Sequence, residues 1–84
     1  MNNKDNNKMN NKIKCTVNGI QWDTDNEPVF LPKTMTVEIN AHDNLPFYEQ
    51  NGMIVDQYVD DILDALSEKT GWCVLDYADI ALEQ

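Results

Sequence analysis

The segment 53–69 carries aliphatic residues at helical spacing, and this feature constrains the fold of the chain more than any other. At about 100° per residue, its aliphatic side chains fall within one arc roughly 100° wide; they are Val55, Val59, Ile62, Leu63 and Leu66. A helix with one apolar arc must pack that arc against another element. We therefore predict an amphipathic helix, with Asn51 capping its start and Gly71 in the left-handed position after its end.

The next arc of the same helix carries the acidic residues Asp56, Asp60, Asp61, Asp64 and Glu68. Four of them recur at every fourth position, where like charges repel and cost about 0.2–0.5 kcal/mol per pair. Lys69 is the only cation nearby in the sequence. Because this repulsion does not favour the helix, two interpretations remain open: a solvated face that the fold tolerates, or a surface that binds a positively charged partner.

Two other segments alternate with the period of a β-strand. Residues 12–17 place Ile13, Cys15 and Val17 on one side, and residues 33–40 place a second apolar set, Met35, Val37 and Ile39, on one side. The dipeptide Asn18-Gly19 favours a two-residue hairpin turn after the first of these strands. Residues 20–22 would then pair with the first strand, with Cys15 opposite Trp22.

The segment 72–77 is rich in residues that favour strands, and both of its faces are apolar, which predicts a central or covered fourth strand. The C-terminal residues 78–84 are consistent with either a short strand or a helical turn. The order of elements is thus a hairpin, a third strand, a helix and a fourth strand. We predict an α+β fold, a small antiparallel or mixed sheet with one helix on one face.

The charge of the chain is strongly negative and unevenly placed. The formal net charge is −9, and residues 15–84 hold only Lys33 and Lys69 against 14 acidic residues. Such a body repels nucleic acid and anionic membranes and is attracted to basic protein surfaces. Residues 1–11 are polar and of low complexity, which predicts a disordered tail before a single domain at 12–84. With no long apolar run and no secretory signal, we expect a cytoplasmic protein that contacts no membrane.

The residues that could support chemistry are few. Cys15, Cys73, His42 and Ser67 form no nucleophile motif, so we expect a protein that is not an enzyme. A zinc ion is a second hypothesis, with Cys15, His42 and Cys73 as ligands and an aspartate as the fourth, because a structural metal would stabilise a domain with a small core. The alternative is that both cysteines are ordinary core residues and that His42 lies in a loop.

Two stretches of the sequence, FLPKTMTVEIN at 30–40 and VDDILDALSEKTGWCV at 59–74, resemble small acidic proteins of phages and mobile elements in Gram-positive bacteria. In size, charge and Asn/Lys bias the chain is also similar to anti-CRISPR inhibitors of type II CRISPR nucleases. The resemblance covers residues 28–75, and the longer connection LPFYEQNGM before the helix departs from it. The resemblance does not assign a functional role to any individual residue.

The resemblance implies an acidic inhibitor that occludes the basic, nucleic-acid-facing surface of a type II CRISPR nuclease and works in the bacterial host cytoplasm. We expect its partner-binding residues to be those of the acidic arc. Two alternatives remain: a small zinc-stabilised structural or regulatory module of a mobile element with no inhibitor role, and an acidic housekeeping domain.

Overall fold

The computed structural model describes residues 11–83, which form five strands and one helix. In chain order these are β1 (Lys12–Asn18), β2 (Gln21–Asp23), β3 (Met35–Asn40), α1 (Asp56–Thr70), β4 (Cys73–Asp76) and β5 (Asp79–Leu82). The strands form two antiparallel sheets, which together with α1 confirm the predicted α+β class. The tail predicted at residues 1–11 lies outside the described residues, except for Asn11.

Strand β1 is the centre of a three-stranded sheet in the order β3-β1-β5. Cys15 lies opposite Val37 of β3 and opposite Leu82 of β5. Strand alternation therefore collects the apolar residues of all three strands on one face. The inward face predicted for residues 33–40 is confirmed, since Val37 and Ile39 are buried and Met35 is partly buried.

The hairpin predicted at Asn18-Gly19 is wrong. Both edges of β1 are occupied by β3 and β5, so β2 pairs instead with β4 in a separate two-stranded sheet, and Trp22 lies opposite Val74 rather than Cys15. Gly19 has a φ of 66°, but Asn18 stays in the strand. A two-residue type I′ turn would need positive φ at both positions.

A turn with positive φ at both central residues is found further along the chain. Asp25 and Asn26 have φ values of 55° and 68°. The Glu27 N–H donates to the Thr24 carbonyl at 2.9 Å and closes the turn. It begins the connection from β2 to β3.

Helix α1 packs on the apolar face of the three-stranded sheet. Its fully buried side chains are Tyr58, Ile62 and Leu66, while Val55, Val59 and Leu63 are partly buried. The predicted apolar arc is thus confirmed, but Tyr58 was missing from it. Tyr58 enters the core because its hydroxyl finds partners there, donating to the Leu45 carbonyl at 2.6 Å and accepting from the His42 N–H at 2.9 Å.

The two ends of α1 differ in how well the sequence predicted them. Gly71 adopts a left-handed φ of 82° after the last turn, as predicted, and its N–H donates to the Ser67 carbonyl. At the start, Val55 rather than Asn51 occupies the cap position, and no side chain caps it. Asn51 instead accepts a hydrogen bond from the Met53 N–H within the preceding turn.

Strand β4 is not the central or covered strand that the sequence predicted. It pairs only with β2, and both Cys73 and Leu75 are exposed, Leu75 by 67%. The ambiguous tail supplies β5, the strand that pairs with β1. Ile80 and Leu82 of β5 pack against the core, and so does Val74 of β4, which contacts the core from outside the main sheet.

Candidate functional site

The acidic face of α1 is the surface formed by Asp56, Asp60, Asp61, Asp64 and Glu68. Four of these residues are exposed, and Asp61 is partly buried. The face exists because the apolar arc of the same helix is fixed against the sheet, so the remaining arc must point to solvent. The structure therefore brings all five predicted partner-binding residues onto one surface.

One carboxylate of the acidic face, that of Asp61, is fixed by a short hydrogen-bonded network. His42 Nε2 donates to Asp61 Oδ2 at 2.8 Å, since an ionised carboxylate can only accept. The backbone N–H of His42 donates to the Tyr58 hydroxyl, and the two rings lie 5.3 Å apart. The buried tyrosine thus holds His42 in place, and His42 in turn orients one carboxylate of the acidic face.

A groove of about 330 Å³ runs between α1 and the edge strand β3. Carboxylates line both of its sides, Asp61, Asp64 and Glu68 from the helix and Glu38 from the strand. Ile39 and Ala65 contribute apolar surface to the same groove. The groove can therefore accept a side chain that has an apolar stem and a cationic end, such as arginine or lysine.

Within residues 11–83, the cationic side chains do little to neutralise the acidic face. Among residues 11–83 one contact has the geometry of an ion pair, the 2.8 Å contact between His42 and Asp61, and both groups carry charge only when His42 is protonated. Lys69 lies beside Glu38 and Glu68 in the adjoining cavity but forms no ion pair with either, and its Nζ donates to the Thr36 carbonyl at 3.3 Å. The carboxylates of Asp56, Asp60, Asp64 and Glu68 therefore face solvent without a lysine partner in this part of the chain.

The three predicted zinc ligands are placed in different surroundings. Cys15 is fully buried in the apolar core, Cys73 is exposed on β4, and His42 bonds to Asp61. Within residues 11–83 no three His, Cys, Asp or Glu side chains are grouped so that they could hold a metal ion. Zinc stays a prediction, and elemental analysis of protein purified without a histidine tag tests it.

The environment of Cys15 also affects its ionisation. Burial raises the pKa of the Cys15 thiol, and the negative charge of Glu83 raises it further. A metal-binding or nucleophilic cysteine acts as the thiolate. The core position of Cys15 therefore favours the neutral, unreactive thiol.

Sequence reasoning missed Glu38 and Asn40, which line the groove from β3. The predicted strand at residues 33–40 has Met35, Val37 and Ile39 on one side, and alternation therefore puts Glu38 and Asn40 on the other side. Their position beside the helix follows from β3 being an edge strand that α1 packs against, and no local pattern encodes that arrangement.

No helix in the described range, residues 11–83, is long and apolar enough to cross a membrane. Comparison of the chain with models of protein families, with curated proteins and with solved structures finds no match.

Proposed function

We propose that this protein binds a basic protein surface through the acidic face of α1. One observation carries the proposal: five carboxylates share a helix face, a further one lines the adjoining groove, and no lysine among residues 11–83 forms an ion pair with any of them. Repulsion among these carboxylates destabilises the helix. A cationic partner would relieve the repulsion and attract the same carboxylates.

The spacing of the acidic face suits a row of basic side chains. Residues four apart on a helix are about 6 Å apart along its axis. Arginine can bind a carboxylate through two parallel hydrogen bonds, which makes it the preferred partner for such a row. The net charge of −9 would also speed the encounter with a basic surface.

The resemblance to anti-CRISPR inhibitors directs the first test to a type II CRISPR nuclease. The protein would occupy the basic surface that normally holds guide or target, and so block loading by electrostatic occlusion. It would not bind the nucleic acid itself, because both carry negative charge.

A cleavage assay with a purified type II CRISPR nuclease tests this proposal. The protein is added before the guide, and the cleavage of a target duplex is followed. The variant with Asp56→Asn, Asp60→Asn and Asp64→Asn should lose inhibition, since it removes three charges from the acidic face. A charge-matched control with Asp43→Asn, Glu49→Gln and Asp76→Asn changes three exposed carboxylates elsewhere and should inhibit like the original protein.

Two results would contradict the proposal. Equal inhibition by both triple variants would show that the acidic face is not the binding surface. Equal loss in both would show that only total charge matters, which is a nonspecific effect.

A further inference from the structure

The connection between β2 and β3, residues 24–34, presents a fully exposed aromatic side chain. Phe30 is 102% exposed, whereas the other exposed large hydrophobic residues range from 36% to 67%. Its neighbour Leu31 is partly buried, so the segment turns Phe30 outward. We call residues 24–34 the Phe30 loop.

The Phe30 loop is held at both of its ends. At the end near β3, Trp22 Nε1 donates to the Pro32 carbonyl at 2.8 Å, and the Ile20 N–H donates to the Lys33 carbonyl at 2.9 Å. At the other end lies the turn at Asp25 and Asn26. Pro28 and Pro32 restrict φ on either side of Phe30. The ring is therefore presented by an ordered backbone, which lowers the entropy lost on binding.

Burial of the exposed Phe30 ring in a partner would contribute favourably to the free energy of binding. Burying such a side chain is worth about 1.5–3 kcal/mol. Aromatic residues that enter a partner pocket are typical hot spots of protein interfaces. No part of residues 11–83 covers the ring of Phe30.

The charges around Phe30 restrict what can bind it. The exposed residues Asp23, Asp25 and Glu27 precede it in the chain and the exposed Lys33 follows it, so the charges around the ring are mainly negative. A second copy of this chain, with its net charge of −9, and an anionic membrane would both be repelled. The complementary surface is an apolar pocket whose rim carries lysine or arginine.

We propose that Phe30 inserts into an apolar pocket with a basic rim on the same protein partner that the acidic face contacts. This inference rests on the proposed function, because it assigns Phe30 to that partner. The two surfaces then contribute differently: salt weakens the contact of the acidic face, while it leaves the burial of Phe30 largely unchanged.

Binding to a purified type II CRISPR nuclease without guide tests the assignment. Affinity is measured at low and high salt for the original protein, Phe30→Ala and the triple variant at Asp56, Asp60 and Asp64. Leu75→Ala is the matched control, because it removes another exposed apolar side chain. Phe30→Ala should bind about 30-fold more weakly at both salt concentrations, as expected for a truncated hot spot. Its melting temperature should not change, since Phe30 makes no core contact.

The outcomes separate the two proposals. Binding of Phe30→Ala equal to the original overturns the Phe30 assignment and leaves the acidic face standing. If the triple variant binds with full affinity while Phe30→Ala loses affinity, the acidic face is not the binding surface, and only the proposal for the acidic face is overturned. No binding by the original protein overturns both.

A second measurement examines the free protein. The chain has two phenylalanines, so labelling with 4-fluorophenylalanine gives one fluorine signal for Phe30 and one for the partly buried Phe47. A soluble paramagnetic probe should broaden the Phe30 signal far more than the Phe47 signal, and the nuclease should remove that difference. Equal protection of both in the free protein, or a dimer that Phe30→Ala abolishes, would overturn the proposal.

Discussion

The outer face of the three-stranded sheet and the acidic face of α1 are both polar, but their side chains are satisfied in different ways. On the sheet, Thr16 bonds to Thr36 and to Glu83, and Asn18 bonds to Asp79 and to Thr34. On the helix, one carboxylate has a side-chain partner among residues 11–83, that of Asp61 with His42.

This difference shows which polar surface is explained by folding alone. The hydroxyl and amide groups of the sheet face are bonded to residues of the same chain, so those groups need no partner, whereas Lys12, Lys14 and Glu38 of the same face form no ion pair within residues 11–83. The acidic face repels itself and is held in place by the core beneath it. A change on the sheet face should therefore cost stability, while a change on the acidic face should cost binding.

The largest expected loss of stability is at Tyr58, whose buried ring lies in the core under the helix that carries the acidic face. Replacing it with alanine removes a fully buried ring and should lower the free energy of unfolding by about 3–5 kcal/mol. Tyr58→Phe keeps the ring and loses the hydroxyl bonds to Leu45 and His42, at a cost of about 1–3 kcal/mol. Urea unfolding measures both, and equal stability of Tyr58→Phe and the original would show that the network does not hold His42.

A smaller loss is expected on the sheet face. Asn18→Ala removes the bond to Asp79 and the bond from Thr34, and should lower the free energy of unfolding by about 1 kcal/mol. Binding to the partner should be unchanged, because Asn18 does not lie on the acidic face. Weaker partner binding in this variant would show that the sheet face is also a contact surface.

On the acidic face, removing charge should stabilise the protein instead of destabilising it. Asp60→Asn together with Asp64→Asn removes repulsion between residues four apart and should raise the free energy of unfolding by about 0.5–1 kcal/mol. Asp56→Asn is the informative contrast: it lies in the first turn of α1, where a negative charge favours the helix, so its removal should not stabilise. Destabilisation by the double variant would mean that these carboxylates have partners within the chain.

The smallest effect concerns pH and the core of the sheet. Because the folded-state pKa of Cys15 is raised, first by burial and then by Glu83, its folded form keeps the proton at a pH where the unfolded thiol ionises. Stability should therefore fall as pH rises above the ordinary thiol range near about 8.5. Unfolding of Cys15→Ala followed across this range should show a shallower decline; an identical decline would assign it to other groups.

Local sequence patterns predicted the parts of this fold that depend on local geometry. The apolar arc of α1, the inward residues of β3 and the left-handed Gly71 all follow from spacing or from a single backbone requirement. The predicted acidic face follows from the same helical spacing. These features need no knowledge of what the elements pack against.

The errors arose where distant segments compete. Asn18-Gly19 is a good hairpin signal, but β5, sixty residues later in the chain, takes the edge of β1 that β2 would have used. At Gly19 an added Cβ would lie 2.5 Å from Ala78 Cβ, so this glycine permits a close approach of two segments as well as a positive φ. The groove beside β3 and the buried position of Tyr58 likewise depend on packing that no single segment encodes.

The central claim is that the acidic face of α1 binds a basic protein surface. The salt dependence of binding to a purified type II CRISPR nuclease tests it most directly. The affinity of the original protein, the triple variant at Asp56, Asp60 and Asp64, and the charge-matched control at Asp43, Glu49 and Asp76 is measured across a range of salt concentrations. The account predicts that the original and the control lose affinity steeply and in parallel, while the triple variant binds weakly with a shallow slope. A triple variant with the affinity and slope of the original protein would contradict it.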